Sequence, residues 1–149
     1  MKKKHIRVLL AAGVILLTGV VACVHLATRT STEEGQIQIM YEEKTVSVSL
    51  TELELHPVQG SISNAKGETF EIDAMGFPLE ELLASAGVTS YETVSVIADD
   101  EYYAELTFAE LHGEREVYLL EEEEGARLIV FGDANSKRNV SHVARIEIS

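Results

Sequence analysis

Between Val8 and Val24 the chain runs for 17 residues without a charge, directly behind Lys2, Lys3, Lys4 and Arg7. A basic stretch followed by an apolar one is the layout of a secretory signal. The folded part must therefore be built from the residues C-terminal to this run, and the basic flank places that part outside the cytoplasm. With 149 residues in all, enough remains for one domain with a real core and too little for two.

The single cysteine, Cys23, closes the apolar run. Val20-Val21-Ala22-Cys23 fits a lipobox, in which cleavage leaves a lipid-modified cysteine as the new N-terminus. An uncleaved signal anchor is the other reading, because Arg7 and His25 bracket a run at the low end of the roughly 20 residues that span a bilayer. A freely released protein is the third. Either of the first two tethers the domain to the membrane. The expected organisation is an apolar export helix over residues 1–27, a polar linker over 28–35 and a domain over 36–149.

No acidic residue precedes Glu33, so removing residues 1–22 takes four of the 12 lysines and arginines and none of the 25 acidic groups. The remainder carries a net charge of −17. Such a surface repels phosphate backbones and anionic lipid, which excludes a nucleic-acid role.

Within the domain, Gln36–Ile39 and Thr45–Leu50 alternate apolar and polar residues, as half-buried strands do. Thr51–Leu55 reads as a helical turn stopped by Pro57. Residues 58–63 and 68–72 flank Asn64-Ala65-Lys66-Gly67, where Asn and Gly suit a hairpin loop. The clearest helix starts at Pro78, carries Leu79, Leu82, Leu83 and Ala86 on one face, and stops at Gly87. Thr93–Ala98 is a strand. Thr107 with Glu110 forms a capping box for a second short helix closed by Gly113. Strands at 115–120, 126–131 and 143–148 complete the chain. The pattern predicts a mixed, strand-rich α+β domain with two or three short helices.

Candidate chemistry is sparse. His56, His112 and His142 are far apart and never spaced as a zinc motif. Asp133-Ala134-Asn135 opens like a calcium loop but lacks its glycine and its closing glutamate, so no metal ligand is expected. Ser141 and His142 are adjacent without a nucleophile elbow, and no catalytic residue is assigned. Glu121–Glu124 reads first as a solvated turn between two strands, with a weak cation site or a docking patch for a basic partner as the other reading. Asp99-Asp100-Glu101 sits at a strand end, where turns and ligand sites both occur.

Four ordered blocks carry a resemblance: Gly76-Phe77-Pro78-Leu79-Glu80-Glu81-Leu82-Leu83 with Gly87-Val88; Val94–Ala98 with Asp100-Glu101-Tyr102 and Leu111; Arg127–Gly132; and Val143–Ile148. In this order they resemble the molybdopterin-binding oxidoreductase domain, the sulfite-oxidase-like fold, in its small exported bacterial form. The resemblance implies that fold, and it places Asp100, Tyr102 and Arg127 at the cofactor. It also implies molybdopterin as the family's cofactor, held with a cysteine thiolate on molybdenum. This chain has no cysteine after Cys23, has Glu101 for the glycine of the family's Asp-Gly-Tyr, has Phe131 for a proline, and has no tryptophan. Hydroxyls and carboxylates cannot replace a soft thiolate. The expectation is a retained fold without molybdenum catalysis and without a bound cofactor, serving to bind a protein partner or a small ligand. A molybdopterin-dependent oxidoreductase, or an accessory subunit of a membrane redox complex, is the alternative.

Overall fold

The computed structural model describes residues 35–149; the export segment, Cys23 and the linker up to residue 34 lie outside the described residues. The described chain is mixed α+β and mostly strand. In order it forms β1 (Gln36–Tyr41), β2 (Lys44–Ser49), a 3-10 turn (Leu50–Glu52), β3 (His56–Ser63), β4 (Thr69–Pro78) and α1 (Leu79–Ser85). Then come β5 (Thr93–Ala98), β6 (Tyr103–Thr107), a wide helical turn (Glu110–Glu114), β7 (Glu116–Glu122), β8 (Gly125–Phe131), a 3-10 turn (Ser136–Arg138) and β9 (Val143–Ile148). Among the described residues no helix is long and apolar enough to cross a membrane.

Two sheets result, one in the order β2-β1-β9-β5-β6 and one in the order β3-β4-β7-β8. The first is antiparallel except where β1 lies parallel to β9, Ile39 opposite Ile146. Alternation decides which face is dry: Ile37 and Ile39 are buried, with Val48 and Val46 opposite them on the edge strand. The interior strand β5 buries Val94 and Val96 completely, against Ile146 on β9 and Leu106 on β6. One apolar core joins these residues to Leu119, Leu128 and Val130 of the second sheet and to α1. Leu79, Leu82 and Leu83 are at most 1 % exposed, and burying each contributes about 1.5–3 kcal/mol.

The helix ends as its sequence predicts. Val88 N–H bonds to the Leu83 carbonyl at 2.9 Å and Gly87 N–H to that of Ala84 at 3.0 Å, with Gly87 at φ +84°. That is a Schellman closure, which needs the left-handed residue. The 64–67 loop divides its labour differently. Gly67 takes the positive φ, whereas Asn64 acts through its side chain, its Oδ1 accepting from the N–H groups of Lys66 and Glu68. Pro57 falls inside β3, on the sheet edge, where a strand tolerates the lost N–H.

The second strand of that hairpin is longer than its sequence pattern shows. β4 pairs with β3 from Thr69 to Gly76 and then carries Gly76, Phe77 and Pro78 along β7. Pro78 therefore closes a strand and caps α1 at once. The second sheet also curls, because β3 packs back on β8. Inside the curl Val58, Leu120 and Ile129 form a small second core, half-covered by Ile62, Ile72, Tyr118 and Phe131.

Candidate binding groove

A groove of about 690 Å³ opens where the start of β1, the Leu50 turn, the tip of the β7–β8 hairpin and the start of β9 meet. Local sequence builds each wall. Glu122 pairs with Gly125, so Glu123 and Glu124 are the two turn residues of the hairpin, and Gly125 at φ +107° completes it. The second half of the acidic run is thus the solvated turn, Glu121 and Glu122 end β7, and all four line the groove. The opposite rim depends on an irregularity. The β5–β9 register shifts between Ile97 and Ala98, after which Asp99 N–H bonds to the His142 carbonyl at 3.1 Å. His142 itself sits at φ +51°, its Nδ1 donating to the Glu124 carbonyl at 3.2 Å. This contact ties the start of β9 to the hairpin tip.

The residues singled out by resemblance are not brought together around this groove. Asp100 and Tyr102 share the β5–β6 turn, in which Asp100 Oδ1 accepts from Tyr102 N–H at 3.0 Å. Glu101 between them adopts φ +68°. The Tyr102 hydroxyl reaches across to donate to the carbonyl of Lys137, and its ring is half exposed. Arg127 lies in the other sheet, with Nε donating to Ser141 Oγ at 3.1 Å and Nη1 3.2 Å from Glu122 Oε1. Ser141 and His142 accordingly serve different partners and form no dyad. Asp99, one residue from the assigned Asp100, lines the groove instead.

No protein-family model matches the chain, and a search of curated proteins returns no match.

A second constellation is invisible to spacing arguments. Arg138 donates two bonds to Asp133, at 2.8 and 2.6 Å, and one to Glu110 Oε1 at 2.7 Å. Arg115 adds a contact to Asp133 at 3.4 Å. The carboxylate of the apparent calcium loop is therefore held by arginines, and Asn135 caps the 3-10 turn by accepting from Lys137 N–H at 3.0 Å. Glu110 uses its other oxygen for the predicted capping box, accepting from Thr107 N–H at 2.9 Å. Among the described residues no three His, Cys, Asp or Glu side chains converge as metal ligands.

Burial alone would raise the pKa of Glu110, but the Thr107 amide and the Arg138 guanidinium outweigh it and hold the carboxyl below its ordinary value. A group depressed in the fold stabilises it above the unfolded pKa and stops doing so as pH falls through the folded one. Stability should thus fall on acidification below about pH 4, the ordinary carboxylate range. Arg138→Met should cost about 1–3 kcal/mol at neutral pH, and it should flatten that acid limb. Urea titrations of both proteins at a series of pH values measure this; parallel acid limbs would count against the linkage.

Proposed function

We propose that the chain is an extracytoplasmic, membrane-tethered binding module on a sulfite-oxidase-like, molybdopterin-binding type of fold, without molybdenum redox chemistry. One observation carries the reading. The groove is rimmed by Asp99 and Glu121–Glu124, the reverse of the basic pocket that an anionic pterin phosphate requires. The residues assigned by resemblance do not fit the cofactor either. Arg127 is engaged by Glu122 and Ser141, Tyr102 by the Lys137 carbonyl, and the chain has no cysteine in the domain to bind molybdenum. Kinship of fold draws support from Glu101, whose left-handed backbone stands where the resemblance places a glycine. The tether rests on the lysine-led apolar run and Cys23.

The test is metal analysis of the full-length protein, purified from the membranes of a molybdenum-replete host that makes the cofactor. Molybdenum well below stoichiometric is expected, and a near-stoichiometric content would restore the oxidoreductase reading. Labelling the same cells with a radioactive fatty acid, beside a Cys23→Ala variant, separates a lipid anchor from an uncleaved one. A protein recovered only from the medium would refute the tether.

A further inference from the structure

β4 lies inside its sheet, yet it is paired on both sides at Gly76 alone. β3 covers it from Thr69 to Gly76, and β7 joins it at Gly76, Phe77 and Pro78. From Thr69 to Ala74 the side toward β7 carries no strand. The hairpin loop fixes which backbone groups are left over. Asn64 N–H bonds to the Glu68 carbonyl at 2.9 Å, and Glu68 N–H turns back to Asn64 Oδ1 at 3.0 Å, so these two residues face one another. In an antiparallel ladder such facing pairs recur at every second residue. The register runs unbroken from there. It turns the backbone of Phe70, Ile72 and Ala74 toward β3 and directs the N–H and C=O groups of Thr69, Glu71 and Asp73 away from it. Among the described residues no backbone group bonds to them.

The other edges are guarded in the ways that keep sheets from pairing at random. β3 carries Pro57, β2 opens on Lys44, β8 is bridged by Val140, and β6 is covered by Arg138, which donates to the Glu105 carbonyl at 3.4 Å. The open stretch of β4 has neither proline, lysine nor bulge. Its two faces differ in kind: Thr69, Glu71 and Asp73 are exposed on one, while Phe70, 49 % exposed, lies with the half-buried Ile72 and Ala74 on the other.

These faces decide what fits. A strand entering here lies in line with β7 and therefore runs antiparallel to β4. Opposite residues share a face, so its side chains must alternate, with cations opposite Glu71 and Asp73 and apolar groups beside Phe70 and Ile72. A second copy does not fit, because a twofold pairing centred on Glu71, Ile72 or Asp73 sets carboxylate against carboxylate. Acyl chains do not fit either, since hydrocarbon leaves the free N–H and C=O groups unpaired. We propose that β4 takes up an extended segment of a partner protein, alternating basic and apolar residues, as an added antiparallel strand. No residue of β4 lines the groove, so strand addition is independent of what the groove holds.

A capped peptide of four Lys-Val repeats, titrated calorimetrically into the full-length protein in neutral detergent at fixed ionic strength, tests this. One-to-one binding is expected. In an antiparallel strand the lysines opposite Glu71 and Asp73 turn their own N–H groups to β4, and the valines turn theirs away. Methylating the lysine backbone nitrogens should weaken binding about tenfold or more, and methylating the valine nitrogens should change it less than about threefold. Glu71→Pro removes one outward donor at an edge that tolerates proline, and it should weaken binding as lysine methylation does. Its thermal midpoint shows that the variant is folded. Equal effects of the two methylations would mean attraction to an acidic surface without strand pairing, and would overturn the proposal. So would absent binding, or equal binding of a Glu-Val peptide. Sedimentation that finds a dimer in the parent and a monomer in Glu71→Pro would overturn it too, assigning the edge to a second copy. A molybdenum-loaded protein overturns the binding-module reading instead and leaves the expected strand pairing unchanged.

Discussion

Gly76→Ala should lower the stability of the domain by about 2–3 kcal/mol, near the upper end of what added core volume costs. A Cβ at this position would stand 2.7 Å from Leu120 Cδ2 and 2.8 Å from the Leu119 carbonyl oxygen. The leucine methyl can rotate away. The carbonyl belongs to β7 at the place where β4 changes partners, so relief there requires the strands to separate. Gly60→Ala is the informative comparison. Its Cβ would fall 2.6 Å from Phe131 Cε1, a closer clash, yet the obstacle is the far end of a half-buried ring. That ring can swing aside, and a loss below about 1 kcal/mol is expected. Chemical denaturation followed by circular dichroism gives both values. Equal losses at the two glycines would refute the distinction between a backbone and a side-chain obstacle.

Leu128→Ala should be the most damaging single truncation, at about 2–5 kcal/mol. Its side chain is 0 % exposed in the core shared by both sheets, and its backbone exchanges two bonds with Val140, at 2.7 and 3.2 Å. That bridge pins the segment leading into β9 against β8, so the cavity cannot collapse without moving a strand-to-strand contact. For a domain of this size each kcal/mol shifts the melting temperature by roughly 4–8 °C. The expected drop is about 8–40 °C. Phe70→Ala removes a larger side chain that is 49 % exposed, and it should shift the midpoint far less. A Leu128→Ala protein melting within a few degrees of the parent would show that the two sheets do not share their core at this point.

The features legible in the sequence are those set by neighbours within a few residues. The Gly87 closure, the Thr107–Glu110 capping box and the alternation of β1 all belong to this class, and the structure has each of them. The extension of β4 through Pro78 is hidden, because Gly-Phe-Pro before an amphipathic stripe reads as a helix start. What makes it strand is pairing with Leu120, Leu119 and Tyr118, 40 or more residues away in the chain. The Arg138 knot is hidden for a related reason, since nothing in composition distinguishes one arginine among acidic residues from another.

The groove shows the same limit at a functional scale. Glu121–Glu124 is recognisable as a turn, but Asp99, His142 and Ile37 join it from three other segments. After the register shift behind Ile97, Asp99 N–H bonds to the His142 carbonyl and joins the two segments. Asp100 and Tyr102 do lie together at a strand end, as their spacing indicates. Arg127 is held by Glu122 of β7 and by Ser141 in the segment before β9.

The parallel pairing of β1 with β9 has a mechanical consequence. Load arriving from the N-terminal side enters the domain at Gln36, on a strand flanked by β2 on one side and β9 on the other. If a bound partner holds the domain near Ile148, the pull runs lengthwise along two parallel strands. The bonds between them are then sheared together instead of unzipping one after another. A pull entering at Gln36 is thus taken by an interior strand of the larger sheet and spread over that ladder.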